Sequence, residues 1–311
     1  MIVKEHNVKD ILYGALGDHL NYDVPLKPYT SFNIGGPAKF FIEACSTTQI
    51  IRSIRAARDA GEKFFILGGG SNILFDDDGY DGLIIRDLTD KFQINGTTVS
   101  ALSGAVVDKM VDAVVEKGLG GMEYAAGIKG TIGGAVYGNA GAFGHAINDI
   151  LKSAVVLTSE NKIEVVDNDY FKFAYRKSKL SDCPDIVLSV KLELHDEDNE
   201  KLTEIVNERR QFRKERHPVD MGSAGSVFKN LRSLENPKDV TPAGKLLEES
   251  GARGMAIGDA AVFEKHCTII VNKGNANSKD VKKLVELMKK AVFDKFGIDL
   301  QREILYIEKS G

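Results

Sequence analysis

The sequence predicts an α+β protein of about two domains, or three small ones, that holds a ligand on glycine-rich loops. Three observations predict it. The chain has 311 residues, and domains average roughly 150. A strand, a helix, a second strand and a glycine loop follow one another near the start, an order that belongs to mixed architectures and not to helical bundles. Glycine is concentrated, with 18 of the 31 lying between Gly61 and Gly144. Apolar residues make up 43% and charged residues 28%, an ordinary globular balance that excludes disorder as a description of the whole.

The elements are read in order. Residues 38–44 (AKFFIEA) form a strand. Ser46 caps a helix with Ile50, Ile54 and Ala57 on one face, and Gly61 ends it. Residues 63–67 (KFFIL) form a second short strand, followed at once by GGGSN at 68–72. A helix over 106–117 leads into a long glycine-rich segment, and strands follow at 153–158 and 186–194. The charged stretch 199–216 reads as a helix linking domains. Val281, Leu284, Val285, Met288 and Val292 recur at helical spacing over 279–296, and 303–307 reads as a closing strand.

Charge and composition narrow the partners. A net charge of -4 offers no sequence-wide basic face, so nucleic acid is excluded as a default partner. No apolar run reaches the ~18 residues needed to span a bilayer, and the first ten residues lack the apolar core of a signal peptide. A soluble, cytoplasmic protein is expected. Cys45, Cys183 and Cys267 are odd in number and form no C-x-x-C pair, and no two histidines fall within four positions. Neither a disulfide framework nor a metal site is expected.

The glycine loops carry the chemistry. GGGSN is not a P-loop, since no G-K-[ST] follows, and Ile73 stands where the dinucleotide fingerprint requires glycine. Three glycines after a buried strand still let backbone N–H groups approach a phosphate, and Ser71 and Asn72 add donors. The second loop has glycine at 127, 130, 133, 138, 141 and 144, with Thr131, Asn139 and small alanines between. Either loop alone reads equally well as a set of tight turns. Both in one chain read as a surface for an extended, pyrophosphate-bearing ligand. The residues themselves leave FAD, NAD and a nucleotide sugar open.

Five segments extend the reading: YTSFNIGGPAKFF, ILGGGSNILFDDDGYDGLII, AAGIKGTIGGAVYGNAGAFG, FAYRKSKL and SAGSVFKN, in that order. Together they resemble the UDP-N-acetylenolpyruvoylglucosamine (UDP-N-acetylmuramate dehydrogenase) reductase family, over residues 25–308. The resemblance implies a two-subdomain FAD-binding module of the p-cresol methylhydroxylase type plus a C-terminal α/β substrate-binding domain. The implied division is 1–90 with the closing strand 303–311, then 91–207, then the substrate domain 208–302. It implies FAD as cofactor, NADPH as hydride donor, and a UDP-sugar whose enolpyruvyl group is reduced in peptidoglycan precursor synthesis by a monomer. FAD contacts are implied at Asn33, Ile34, Gly35 and Gly36, at Gly68, Gly69, Gly70, Ser71 and Asn72, and at Gly127, Thr131, Ile132, Gly133 and Gly134. Arg176, Ser226 and Glu303 fall on the catalytic positions, and Arg216, Lys229 and Asn230 on those that meet the UDP portion.

The implied chemistry suits those residue types. Hydride addition to the terminal vinyl carbon puts negative charge on the adjacent carbon and its carboxylate. The planar Arg176 guanidinium would stabilise it. Glu303 would have to be protonated or cation-paired there, and Ser226 would give the quenching proton. Four positions depart from the family pattern: Lys129 for proline, Leu231 for proline, Phe263 for a polar residue and Leu305 for arginine. They lie mostly on the substrate side, and they motivate two alternatives: a flavoprotein oxidoreductase of the same fold with another substrate, or a silent flavin- or nucleotide-binding paralog.

Overall fold

The structure, a computed structural model, describes residues 2–233 and 239–310. In chain order it begins with α1 (Ile2–Leu16), β1 (Asn21–Pro25), β2 (Pro37–Ala44), α2 (Thr47–Asp59), β3 (Phe64–Leu67), β4 (Ile73–Phe75) and β5 (Tyr80–Asp87). Then come β6 (Phe92–Asn95), β7 (Thr98–Leu102), α3 (Val107–Val115), α4 (Ile132–Tyr137), β8 (Leu151–Leu157), β9 (Ile163–Asp167), β10 (Ile186–Glu193) and α5 (Asn199–Arg216). The chain closes with α6 (Ala243–Glu249), β11 (Ala256–Ile257), β12 (Ala260–Phe263), β13 (His266–Asn272), α7 (Ser278–Phe296) and β14 (Leu305–Ile307). The class is α+β. Two compact units form, one from Met1–Tyr22, Phe40–Gly69 and Gly82–Phe212, the other from Asp23–Lys39, Gly70–Asp81 and Arg213–Gly311.

In the first unit α2 starts as the sequence predicts: the Ser46 hydroxyl accepts the Gln49 N–H, and Gly61 sits in the left-handed region just past the end. Its apolar face, Ile50, Ile54 and Ala57, packs on Leu12, Leu16, Phe40, Ile42, Leu83 and Ile85. The strands beneath it belong to a four-stranded sheet of order β1-β2-β5-β3, with β3 and β5 parallel. A five-stranded antiparallel sheet, β9-β8-β10-β7-β6, carries the other core. Val107, Met110, Val111 and Val114 of α3 and Ile132 and Val136 of α4 close on Val99, Ala154, Val156, Val190 and Leu192 of that sheet. The charged helix α5 spans the expected residues and buries only Leu202 and Val206.

In the second unit β11-β12-β13 form an antiparallel sheet. The five apolar positions expected on α7 are all buried, against Phe228, Leu246, Leu247, Val262 and Ile270. Asn277 caps α7 by accepting the Asp280 N–H, and Gly297 ends it in the left-handed region. The closing strand begins at Leu305, two residues later than predicted, and pairs in parallel with β4. The delay has a local cause: the Glu303 N–H is drawn to the Val227 carbonyl (2.7 Å), and only the Leu305 N–H reaches the β4 side, at the Asn72 carbonyl (3.0 Å). Among the described residues no helix is long and apolar enough to cross a membrane.

Candidate flavin and substrate site

In the first unit the two glycine loops meet backbone to backbone. A Cβ built on Gly68 would lie 2.5 Å from the Thr131 Oγ1, and one on Gly69 2.7 Å from the Gly130 Cα. The absent side chain at Gly69 therefore makes room for the second loop. Several second-loop donors are used internally. The Gly127 N–H bonds the Asp108 carboxylate at 2.7 Å, and Arg210 holds that carboxylate at 2.8 Å. The Ile132 and Gly133 N–H groups bond the carbonyls of Ala105 and Ser103, each at 2.8 Å. Thr131 caps α4 by accepting the Gly134 N–H at 3.4 Å. Gly127, Ile132 and Gly133 thus shape the loop from within.

Gly134 and Gly138 are different. Among the described residues, and apart from its chain neighbours and its own helix backbone, a Cβ at Gly134 would find only the Thr131 Oγ1 within 4 Å, at 3.6 Å, and one at Gly138 only the Gly134 carbonyl, at 3.7 Å. Neither residue has a positive φ. Among the described residues nothing in packing or backbone conformation asks for glycine at these positions, and at Gly134, inside α4, glycine is destabilising by about 1 kcal/mol against alanine. What omitting the side chain provides is a bare, open backbone face, and this fits an extended cofactor laid against it.

The FAYRKS segment is fastened to the same loop. Asn139, itself left-handed at φ 44°, donates from its carboxamide to the Ala174 carbonyl at 2.9 Å. The fully buried Ser178 donates to the Tyr137 carbonyl at 2.7 Å. Between these ties the chain makes a tight turn, with Lys177 N–H to Ala174 carbonyl at 3.1 Å and Ala174 N–H to Lys177 carbonyl at 2.9 Å. Arg176 occupies the turn at φ 53°, a conformation that favours glycine and costs a side-chain-bearing residue about 1–3 kcal/mol.

The second unit gathers the other expected residues. Asn33 is left-handed and exposed, and Gly36 lets the turn at 76–79 approach so closely that a Cβ would lie 2.0 Å from the Asp77 carbonyl. Ile34 faces the apolar core, and the Thr30 hydroxyl bonds both its N–H (3.3 Å) and its carbonyl (3.1 Å). Gly35 and Gly70 both have positive φ, and the Gly70 carbonyl accepts the Ser31 N–H at 3.0 Å. Asn72 reaches the Glu303 carbonyl at 3.3 Å through its carboxamide. Ser226 follows Gly225 (φ 73°) and bridges to Ile269 of β13. The Glu303 N–H bonds the Val227 carbonyl at 2.7 Å. Asn72, Ser226 and Glu303, 154 and 77 positions apart in sequence, are therefore drawn together by the Asn72 carboxamide and by main-chain bonds at Val227 and Leu305.

The chain is similar to known proteins over most of its length. Residues 217–307 match the family model for the C-terminal domain of UDP-N-acetylenolpyruvoylglucosamine reductase, and residues 38–167 the FAD binding domain model. The reductase of Caldicellulosiruptor bescii is 39% identical over 92% of this chain and 90% of the relative. That of Clostridioides difficile is 36% identical over 96% and 98%. The crystal structure of the reductase from Thermus caldophilus superposes with a TM-score of 0.76 at 29% identity, covering 92% of this chain and 97% of that one. The chain belongs to the UDP-N-acetylenolpyruvoylglucosamine reductase family. It is an FAD-dependent oxidoreductase.

Among the residues expected to meet the UDP portion in this family, Lys229 is half-buried, with its N–H on the Gln301 carbonyl at 2.9 Å. Asn230 has a structural task as well, since its side-chain oxygen accepts the Ala243 N–H at the start of α6 (3.1 Å). Arg216 is the exposed last residue of α5. Sequence reasoning passes over three residues of β13. The carboxamide of Asn272 donates to the carbonyls of Phe32 (3.2 Å) and Asn33 (3.3 Å) and pins the FNIGG loop. Thr268 and His266 stand beside Ser226: the Thr268 hydroxyl donates to the Ser226 Oγ at 3.1 Å and meets the His266 Nδ1 at 2.8 Å. Burial, and after it the Arg216 charge, hold the His266 pKa below its ordinary value. The signal in HCTIIVN is three polar residues, His266, Thr268 and Asn272, in an otherwise apolar strand.

Proposed function

We infer that the protein reduces the enolpyruvyl group of UDP-N-acetylglucosamine enolpyruvate to give UDP-N-acetylmuramate, with NADPH as reductant, and that Arg176, Ser226 and Glu303 carry the substrate chemistry. The observation that supports these roles best is the pairing of Ser226 and Glu303 through the Val227–Glu303 hydrogen bond. Bound FAD supplies the hydride acceptor for NADPH and the hydride donor for the vinyl carbon. The chain's own groups do the rest. Gly134 and Gly138 leave backbone open to the cofactor, with Gly68–Asn72 as the second contact and Asn33–Gly36 as the third.

Arg176 presents a planar cation that matches a carboxylate with two parallel N–H bonds, and its charge stabilises the enolate that hydride addition creates. The turn fixes the backbone from which it projects, so the guanidinium is partly pre-organised. Ser226 gives the proton that quenches the enolate carbon. Glu303 assists as a protonated or cation-paired carboxyl, because a bare anion would repel the developing charge. Arg216, Lys229 and Asn230 meet the UDP portion, where charge-assisted bonds suit a diphosphate. On this reading residues 1–90 with 303–311 and residues 91–207 form the FAD module, 208–302 hold the UDP-sugar, and the enzyme works as a cytoplasmic monomer. Anaerobic addition of NADPH should bleach the flavin absorbance, and the enolpyruvyl UDP-sugar should restore it. Bleaching without recovery would mean that the enzyme serves another acceptor.

A further inference from the structure

Ser226 is joined to two side chains that the roles above do not use. Thr268 is 2% exposed. Its hydroxyl donates to the Ser226 Oγ at 3.1 Å and lies 2.8 Å from the His266 Nδ1. All three belong to the second unit, and main chain fixes their order: Ser226 bridges to Ile269, and the Val227 N–H bonds the Thr268 carbonyl at 2.8 Å. The His266 ring is half-buried and tilts against His217, with centroids 5.7 Å apart.

We propose that Thr268 and His266 form a proton relay that positions the Ser226 hydroxyl and replaces the proton it gives to the substrate. The inference rests on Ser226 being the proton donor. A serine hydroxyl is a weak acid, and the alkoxide left in a part-buried site would be costly without a donor beside it. The relay removes that cost by moving protons together. The Ser226 O–H breaks as the new C–H forms on the enolate carbon. The Thr268 hydroxyl proton passes to the Ser226 Oγ, and the His266 Nδ1 proton passes to the Thr268 Oγ1. The ring takes a proton at Nε2 from water, leaving hydroxide to the buffer, and so changes from one neutral tautomer to the other. No group is oxidised or reduced. The Thr268 N–H also points to the His266 Nδ1, at 3.4 Å, and suits the ring once its Nδ1 proton has gone. A lowered imidazole pKa, from burial first and Arg216 second, keeps the ring neutral and free to switch.

The test uses the FAD-loaded enzyme and measures its two half-reactions separately by stopped flow. Thr268→Val keeps the shape and removes the hydroxyl. Flavin reduction by NADPH should proceed at the wild-type rate, and reoxidation by the enolpyruvyl UDP-sugar should slow at least about tenfold, short of the roughly 10²–10⁴ expected for Ser226→Ala. Thr268→Ser restores a hydroxyl and should recover most of the rate, which a purely steric role would not require. In mixed H₂O and D₂O the wild-type reoxidation rate should curve with deuterium fraction, because several protons move, and should become linear in Thr268→Val. A slow Ser226→Ala together with a normal Thr268→Val overturns the relay and leaves the Ser226 role standing. A normal Ser226→Ala removes Ser226 from the chemistry and the relay with it. Should Thr268→Val fail to hold flavin, a linear wild-type dependence on deuterium, or no recovery in Thr268→Ser, still overturns the proposal.

Discussion

Replacing Gly134 by alanine separates what the fold needs from what the cofactor needs. The residue lies in α4, its φ is not positive, and the added Cβ would meet only the Thr131 Oγ1, at 3.6 Å. For the flavin-free protein the change is favourable, because alanine exceeds glycine in a helix by about 0.5–1 kcal/mol. In a unit of this size that raises the melting temperature by about 1–4 °C. If the cofactor lies on this bare face, as proposed, the same methyl stands in its way. Losing one hydrogen bond to a charged group is worth about 1.5–3 kcal/mol, which is roughly a 10- to 100-fold weaker Kd. The flavin-free protein should therefore be more stable and bind FAD more weakly. Thermal unfolding without flavin, and titration followed by flavin fluorescence, read the two effects. Gly69→Ala is the contrast: its Cβ would lie 2.7 Å from the Gly130 Cα, so it should destabilise the flavin-free protein too. Unchanged FAD affinity in a stabilised Gly134→Ala protein would refute the assignment of this face to the cofactor.

Three further outcomes are expected. Arg176→Lys keeps the charge but not the two-bond geometry, so reoxidation by substrate should slow by about 10²–10³; near-normal reoxidation would leave the guanidinium without a special role. Ser178→Ala deprives the Tyr137 carbonyl of its 2.7 Å donor in a fully buried setting and should cost about 1–3 kcal/mol in chemical denaturation while raising KM for substrate, whereas a stable variant with unchanged kinetics would show that the tie does not hold the Arg176 turn. Because the folded His266 has its pKa below the ordinary 6.5, the unfolded chain binds more protons as pH falls through 6.5, so this residue's contribution is complete above that value and lost below it; His266→Gln should flatten the acid limb of urea stability measured from about pH 8 to about pH 5, and an unaltered limb would count against the burial of the ring.

Periodic and capping signals made much of the fold legible. Ser46, Gly61 and the apolar stripes of α2 and α7 are local instructions, and the structure obeys them. Glu303 shows the limit of such reading. Its apolar neighbours Ile304, Leu305 and Ile307 suit a strand, but a long-range bond to Val227 takes its N–H and delays β14 to Leu305. The glycine loops were visible as a pair, yet composition cannot distinguish glycines that admit another backbone from glycines that admit a ligand. Gly36 and Gly69 lie against neighbouring backbone while Gly134 and Gly138 face open space, and only the position of the neighbouring atoms separates the two kinds. Ile34 and Ile132 carry family positions while their side chains face the core. Thr268 and His266 were out of reach for the same reason. A hydroxyl in an apolar strand gains meaning from the Ser226 that lies opposite, 42 residues earlier.

Two local costs in the first unit point the same way. Glycine at 134 weakens a helix with no packing reason for it, and Arg176 holds a left-handed backbone that any glycine would accept more readily. A sequence selected for folding alone would carry alanine at the first position and glycine at the second. The observed residues reverse both choices: the side chain is missing where the helix would use one, and a large cation is present where the turn would rather have none. Asn139 and Ser178 then bind the two features into one piece of backbone, with bonds of 2.9 and 2.7 Å to Ala174 and Tyr137. Stability has been yielded at the two places where a flavin and a carboxylate would have to be met, and the surrounding hydrogen bonds keep both places rigid enough to use.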